Sequence, residues 1–461
     1  MSVRDNVLTE LRLSADAAPR VTGEPCPATL SAPLAVAECA VASVAACLAA
    51  AAELSHARAG RRPEVTLDTG HVVAAVRGEA LLRDAAGRGI DGFAPLSRLW
   101  RAADGWVRTH ANYPWHRAAL LTALGVADGP DAEVSRQLAD AVAARPAGEV
   151  ETLTYAAGGL AVAARTPQQW WPGAPPQTAS GSPLVAAARL GDAPALPGPG
   201  PLPASGLRVL DLTRVIAGPV ATRMLAALGA DVLRVDDPRR PELPLHAVDG
   251  VIGKASCLLD AGTDAGRDAL HRLVAGADVV VTGYRPGALR RLGLAPDQVA
   301  DRHPGTIVAC LTAWGTDGAW GARRGFDSLV QVATGIAWTV RGDDGRPGAL
   351  PCQLLDHATG YLLAAGVLAA LARRERAGEA CQVSISLART ARWLLDQGPR
   401  PARAGEPDPP DPTGPSGDEA YRGNLGDGWR GVTPPGRLDG HPLHWPHLPP
   451  AYGRSAPVWP L

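Results

Sequence analysis

The sequence predicts an α/β protein: a Rossmann-like parallel sheet with helices on both faces, joined to a smaller α+β domain. Three observations carry this expectation. Between residues 206 and 398, short apolar strands alternate with helix-length segments, the arrangement that builds a parallel sheet covered on both sides. Hydrophobic residues make up 46% and charged residues 20% of 461 positions, so the chain is globular and long enough for more than one core. Pro- and Gly-rich stretches then divide it into an N-terminal part (1–175), a linker (176–205, with PALPGPGPLPASG), the strand–helix region (206–398), and a Pro-rich linker with a C-terminal tail (399–461).

The strand–helix region reads in order. Leu207 to Thr213 (LRVLDLT) is a compact apolar strand, and Gly218-Pro219 opens a helix because proline suits the first helical turn. Val220, Met224, Leu225 and Leu228 give that helix one apolar face, and Gly229 closes it. Ala230 to Asp236 is the next strand. A helix over Arg267 to Ala275 leads into ADVVVTGY, and Thr306 to Gly315 repeats the theme. No GxGxxG follows the first strand, so the dinucleotide fingerprint is missing.

Composition excludes several function classes. The formal net charge of -1 gives no electrostatic case for nucleic acid or an anionic membrane as partner. Lys254 is the one lysine, so a cationic site must be built mostly from arginine. Cys26, Cys39, Cys47, Cys257, Cys310, Cys352 and Cys381 are scattered with no CxxC pair and no zinc spacing, which reads as reduced thiols and no metal site. The start, MSVRDNVLTELRL, lacks the basic-then-apolar pattern of a signal peptide. The Ala-rich stretch from Val41 to Leu54 is bracketed by Glu38 and Glu53 and falls short of the roughly 18 residues of a membrane span. The expectation is a cytoplasmic protein.

An internal repeat runs under this layout. ARAGRRPEVTLDTGHVVAAVRGEALL aligns with ERAGEACQVSISLARTARWLL at a constant offset of 318, each after an Ala-rich helix, and places Glu38 opposite Asp356. Two Ala-rich helices followed by Gly and a strand can align by chance. The alternative is a fusion of two degenerate copies that together make one working unit.

LRVLDLTRVIAGPVATRMLAALGADVLRVDDP, GKASCLLD, ADVVVTGYRPGALRRLGL, LTAWG, RRGFDSLVQVATG and PCQLLDHATGYLLAAGVLAALARRERAGEACQVSISLARTA follow one another over about Gly206 to Leu395. This ordered set resembles the class III CoA transferases, the carnitine-CoA and formyl-CoA transferase (CaiB/BaiF) family. DGWVRTHANYPWHRAALLTALGV and LTYAAGGLAVAARTPQQWW resemble that family's small domain, which here precedes the large domain instead of following it. The resemblance implies CoA transfer from an acyl-CoA to a carboxylic acid, with CoA as substrate and no permanently bound cofactor. It also implies a homodimer, which in the family is an interlocked ring.

The resemblance assigns the nucleophile to Asp356 in LLDHATGYLL, which forms an aspartyl anhydride and then an aspartyl-CoA thioester. On the residues alone, Asp356 stands before a helix apolar nearly all round, where the helix dipole favours a carboxylate but where an N-cap is the favoured reading. Gly360 either lets substrate approach the backbone or relieves packing. Arg285 and Tyr284 match the family's Asn-aromatic-Arg-Pro-Gly motif beside the CoA nucleotide, with Gly283 in place of the Asn. Arg239, with Arg240, falls where the family holds the CoA phosphates, and Lys254 matches a family lysine near the CoA entrance.

Phe326 occupies the place of the histidine that serves the family's racemases, and phenylalanine moves no proton, so racemisation is disfavoured. Asp327 reads as a helix cap, and His357 is expected to face away from Asp356. The Gly-rich loop that covers the site in formyl-CoA transferases has no counterpart after Leu395; Gly158 and Gly159 are better placed in the small domain's core. His110, Asn112, Trp115 and His116 form a polar-aromatic cluster that either lines an acyl pocket or starts a helix. The alternatives to CoA transfer are a non-catalytic CoA-binding paralogue or partner subunit and, behind it, an acyl-CoA racemase.

Overall fold

The computed structural model describes residues 2–23, 28–400, 417–445 and 451–459. The expected linker and tail, 399–461, therefore lies partly outside the described residues. Seven strands form the main sheet, in the order Ala186–Asp192, Glu379–Ser386, Ile307–Thr312, Val279–Thr282, Arg208–Leu212, Asp231–Asp236 and Ala255–Leu258. Every neighbouring pair is parallel except the first, which is antiparallel. The predicted fold class is the observed one, with short strands of Val, Ile and Leu buried on both faces.

Alternation along each strand sends side chains to two cores. Val209, Val279, Val281 and Ile307 join Val220 and Met224 of the helix Ala217–Ala227 on one side. Leu210, Leu233, Val280 and Val308 meet Leu270, Leu273 and Val299 on the other, carried by helices Asp264–Ala275 and Pro296–Arg302. Two strands were not read from the sequence. Ala255–Leu258 is one, and Ala186–Asp192, inside the stretch expected as linker, is the other. The Pro/Gly run behind that second strand is held by Arg58, whose guanidinium donates to the carbonyls of Pro197, Gly198, Pro203 and Ser205 at 2.8–3.0 Å.

Two 24-residue helices, Val36–Ala59 and Leu354–Ala377, pack along one another at the centre. Alanines along both let the backbones approach closely. Each ends at a glycine in the left-handed region, Gly60 at φ 71° and Gly378 at φ 65°, where a side chain would be strained. The first helix is longer than the apolar stretch read from sequence. By length and composition both could cross a membrane, but both are buried inside the protein, as core helices are.

A smaller unit lies in the N-terminal part. Strands Leu99–Arg101, Trp106–Thr109 and Ala161–Ala163 pair antiparallel and carry helices Pro114–Leu124, Asp131–Ala143 and Ala147–Ala156 around a separate core of Leu120, Leu138, Val142 and Val150. Gly158 and Gly159 belong to it: a Cβ on Gly159 would meet Thr154 at 2.9 Å.

Candidate active site

Where the smaller unit meets the C-terminal ends of the main sheet's strands, a cleft of about 700 Å³ opens. That is where open α/β sheets place ligands, and the size suits a large organic one. Tyr113, Trp115 and His116 form the wall given by the smaller unit; Arg239, Tyr284, Arg285 and Asp356 come from the strand–helix region.

Asp356 sits in the first turn of the helix Leu354–Ala377 and is 5% exposed. The helix N-cap is Gln353, so capping is not its role. That work is done by Asp327, whose carboxylate accepts from the amides of Leu355 and Asp356, the latter at 3.1 Å, and from Gln331. Asp327 is thus a cap, as expected, but of the neighbouring helix rather than its own. Burial pushes Asp327 up to about 6 against these hydrogen bonds. Asp356 rises well above the ordinary carboxylate range, first through burial, then through the charges of Asp327 and Glu79. The helix dipole was expected to favour its ionised form; desolvation and two neighbouring carboxylates outweigh about half a unit charge.

His357 points away from Asp356, as neighbours on a helix do, and its Nε2 meets Glu79 at 2.8 Å. Burial alone would raise Glu79, but the charge and hydrogen bond of His357 hold it down to about 2. Glu79 was not singled out from the sequence. It lies in a short helix of the N-terminal part, and no local pattern marks it.

The cleft's cations divide into paired and unpaired. Arg239 is held by Asp237 at 3.0 Å and Asp260 at 3.2 Å, and Arg214 by Glu242 at 3.1 Å. Among the described residues no carboxylate pairs with Arg240, Arg285 or Arg324. These three lie close enough that, after burial, Arg285 and Arg240 are what lower Arg324. Arg324 was missed; the doublet Arg323–Arg324 two residues before Phe326 was its available signal.

The aromatic wall is layered. Tyr113 stacks on Trp115 at 4.6 Å, Arg240 lies over Trp115 at 4.6 Å, and His110 stacks on Phe326 at 3.9 Å. Burial, then Arg324, Arg240 and Arg214, hold His116 down to about 3, so it is a neutral imidazole at neutral pH. Its Nδ1 takes no hydrogen bond from a described residue. Tyr113 donates to Glu242 at 2.6 Å, and Glu242 in turn binds Arg214 and Arg234, which anchors this wall to the main sheet.

Two predicted ligand residues are not in the cleft. Lys254 is buried beneath the sheet, where its three donors go to Asp211 at 3.0 Å and to the carbonyls of Pro219 and Gly250. With no free donor and no exposure it is a structural cation, although burial lowers it to about 8 against the pull of Asp211. Gly360 faces the helix Ala217–Ala227: an added Cβ would lie 2.5 Å from the Ala217 carbonyl oxygen and 2.8 Å from Val220 Cβ. Its role is close packing of two helices, the second of its two sequence readings.

The site thus brings together a mostly parallel sheet, a cleft at its strand ends, a buried carboxyl and a group of arginines, neither with an opposite charge paired to it among the described residues. Residues 204–423 match the family model of CoA-transferase family III. The probable fatty acyl-CoA transferase Rv3272 of Mycobacterium tuberculosis is 38% identical over 198 residues, 40% of this chain and 50% of that one. A formyl-CoA:oxalate CoA-transferase of Streptomyces avermitilis is 35% identical over 193 residues, 40% of this chain and 47% of that one. The chain thus spans about half the length of the curated relatives it matches. A crystal structure of Rv3272 covers 42% of this chain and 58% of its own at 37% identity, with a TM-score of 0.40.

Proposed function

We propose that this chain moves CoA from an acyl-CoA to a free carboxylic acid, with Asp356 as nucleophile. The observation that carries the reading is the buried carboxyl of Asp356, paired with no cation among the described residues, opening into a cleft that also holds unpaired arginines. Arg285, Arg324 and Arg240, with Arg239 at the rim, would hold the CoA phosphates, since guanidinium forks match phosphate oxygens. Tyr284, 39% exposed at the mouth, would lie against the nucleotide.

The chemistry then follows from the carboxylate. An Asp356 oxygen attacks the thioester carbonyl, the C–S bond breaks, and CoA leaves as thiolate from a mixed anhydride. The thiolate attacks the aspartyl carbonyl and releases the donor acid, leaving an aspartyl-CoA thioester. The acceptor carboxylate attacks that thioester, and the returning thiolate takes its acyl group, regenerating Asp356. Neutral His116, unpartnered in the same cleft, supplies an N–H toward the developing oxyanion. The aromatic wall of Tyr113, Trp115 and Phe326 shields the anhydride from water in place of a Gly-rich loop.

The test is intact-protein mass after incubation with a panel of acyl-CoAs and a hydroxylamine quench, for wild type and Asp356→Ala. A hydroxamate mapped to Asp356 and lost in the variant is the expected result. CoA binding with no adduct from any donor would favour the non-catalytic reading, for which Gly283 in the CoA motif is the relevant departure.

A further inference from the structure

The offset of 318 found in the sequence holds in three dimensions. It carries the helix Val36–Ala59 onto Leu354–Ala377 end to end, and the closing Gly60 onto Gly378. It carries the strand Val65–Asp68 onto the second half of Glu379–Ser386, and the helix starting at Thr69 onto the one starting at Leu387.

The neighbours of the two strands also correspond. On one side each has a parallel partner in the same register: Arg20 and Thr22 face Thr66 and Asp68 as Cys310 and Thr312 face Ser384 and Ser386. On the other side each has an antiparallel partner, again in the same register: Arg437 and Leu438 face Thr66 and Val65 as Ala186 and Ala187 face Ser384 and Val383.

Those antiparallel partners are exchanged. The strand Ala186–Asp192 follows the first unit in sequence and closes the sheet of the second. The strand Arg437–Leu438 follows the second unit and pairs into the sheet of the first, with His441–Pro442 beyond it at the edge. Chance similarity of two Ala-rich helices predicts neither equal registers nor a reciprocal exchange of strands.

The equivalent acidic positions have diverged. Asp356 has no cation and faces the cleft. Glu38 is bound by Arg400 at 2.7 Å and does not line it. Between the parallel strand and the long helix, the second unit has residues 313–353, which bring Arg324, Phe326 and Asp327 to the site; the first has only 23–35.

We infer that the chain is a covalent pseudo-dimer with one reaction site, in which the first unit has lost its own site and completes the second in cis through Tyr113, Trp115 and His116. This rests on the function proposed above only for the chemistry, not for the architecture.

Two measurements test it. Benzoylphenylalanine placed at position 115 of the full chain and irradiated should attach to the segment around 240 or 324 of the same chain, giving a product of single-chain mass. A crosslinked product of two chains would overturn completion in cis. Acyl-CoA incubation should give at most one adduct per chain, removed by Asp356→Ala and unchanged in yield by Glu38→Gln. A second adduct at Glu38 would overturn the loss of the first site. Absence of any adduct would sink the proposed chemistry, while the crosslink would still decide the architecture.

Discussion

At the scale of the residue, Asp356, as the proposed nucleophile, meets two demands in opposition. It must be dry enough to attack a thioester, and dryness together with Asp327 and Glu79 favours its protonated form. The sign of the consequence is fixed. A carboxyl whose folded pKa lies above its unfolded value contributes its stability at low pH and loses it as pH rises through the folded value. At neutral pH, then, Asp356 costs stability. Asp356→Asn should abolish the adduct yet raise stability by ~1 kcal/mol, read as a higher Tm near pH 7. The advantage of the variant should shrink as pH falls toward about 4, where the unfolded carboxyl also protonates. In wild type, single-turnover acylation should speed up with pH through a pKa above the ordinary carboxylate range. A rate independent of pH across that range would show that Asp356 is already ionised in the resting protein.

Asp356 and Arg285 were legible as candidates because each sits in a local motif, TGYRPG and LLDHATG, whose residues are sequence neighbours. Lys254 was equally local, but its fate was not. Whether a lysine after GK-type turns reaches solvent or turns inward depends on Asp211, 43 residues away, which claims it.

At the scale of the element, the long helix Leu354–Ala377 is where packing and chemistry meet. Its N-terminus is capped from outside by Asp327, and its interior is smooth enough to accept the helix Ala217–Ala227 against Gly360. Gly360→Ala should cost about 1–3 kcal/mol, because the new methyl meets a backbone oxygen and a β-branched side chain that cannot both retreat. Thermal or denaturant unfolding checks the loss. The retained CoA affinity of the folded fraction would separate packing from a ligand role. An alanine tolerated without loss would mean the two helices can separate at this point. Helix and strand positions in this region were readable because periodicity is local. The edge strand Ala186–Asp192 was not, because its pattern is Ala-rich and its neighbour, Glu379–Ser386, is far off in sequence.

At the scale of the whole molecule, a chain with formal net charge -1 concentrates unpaired arginines in one cleft. The acidic residues that balance them are spent elsewhere, on helix caps and buried pairs such as Arg234 with Asp236 and Glu242. CoA binding should therefore weaken as salt increases, since part of the attraction is screened. Arg324→Gln should lower affinity and flatten that salt dependence, as calorimetric titration over a salt series would show. An unchanged slope would place the phosphates outside this arginine group.

The sequence by itself carried the parallel α/β core, the candidate nucleophile and the 318-residue offset, because each is written in short-range order: alternating apolar runs, a contiguous motif, a constant spacing. Tertiary structure alone decided which half completes which. The exchanged strands, the capping of one helix by another's aspartate, the burial of Lys254 and the tying off of Glu38 by Arg400 all join residues distant in the chain. Pairing over such distances is settled by registry and burial in the assembled fold, and local pattern carries no record of it.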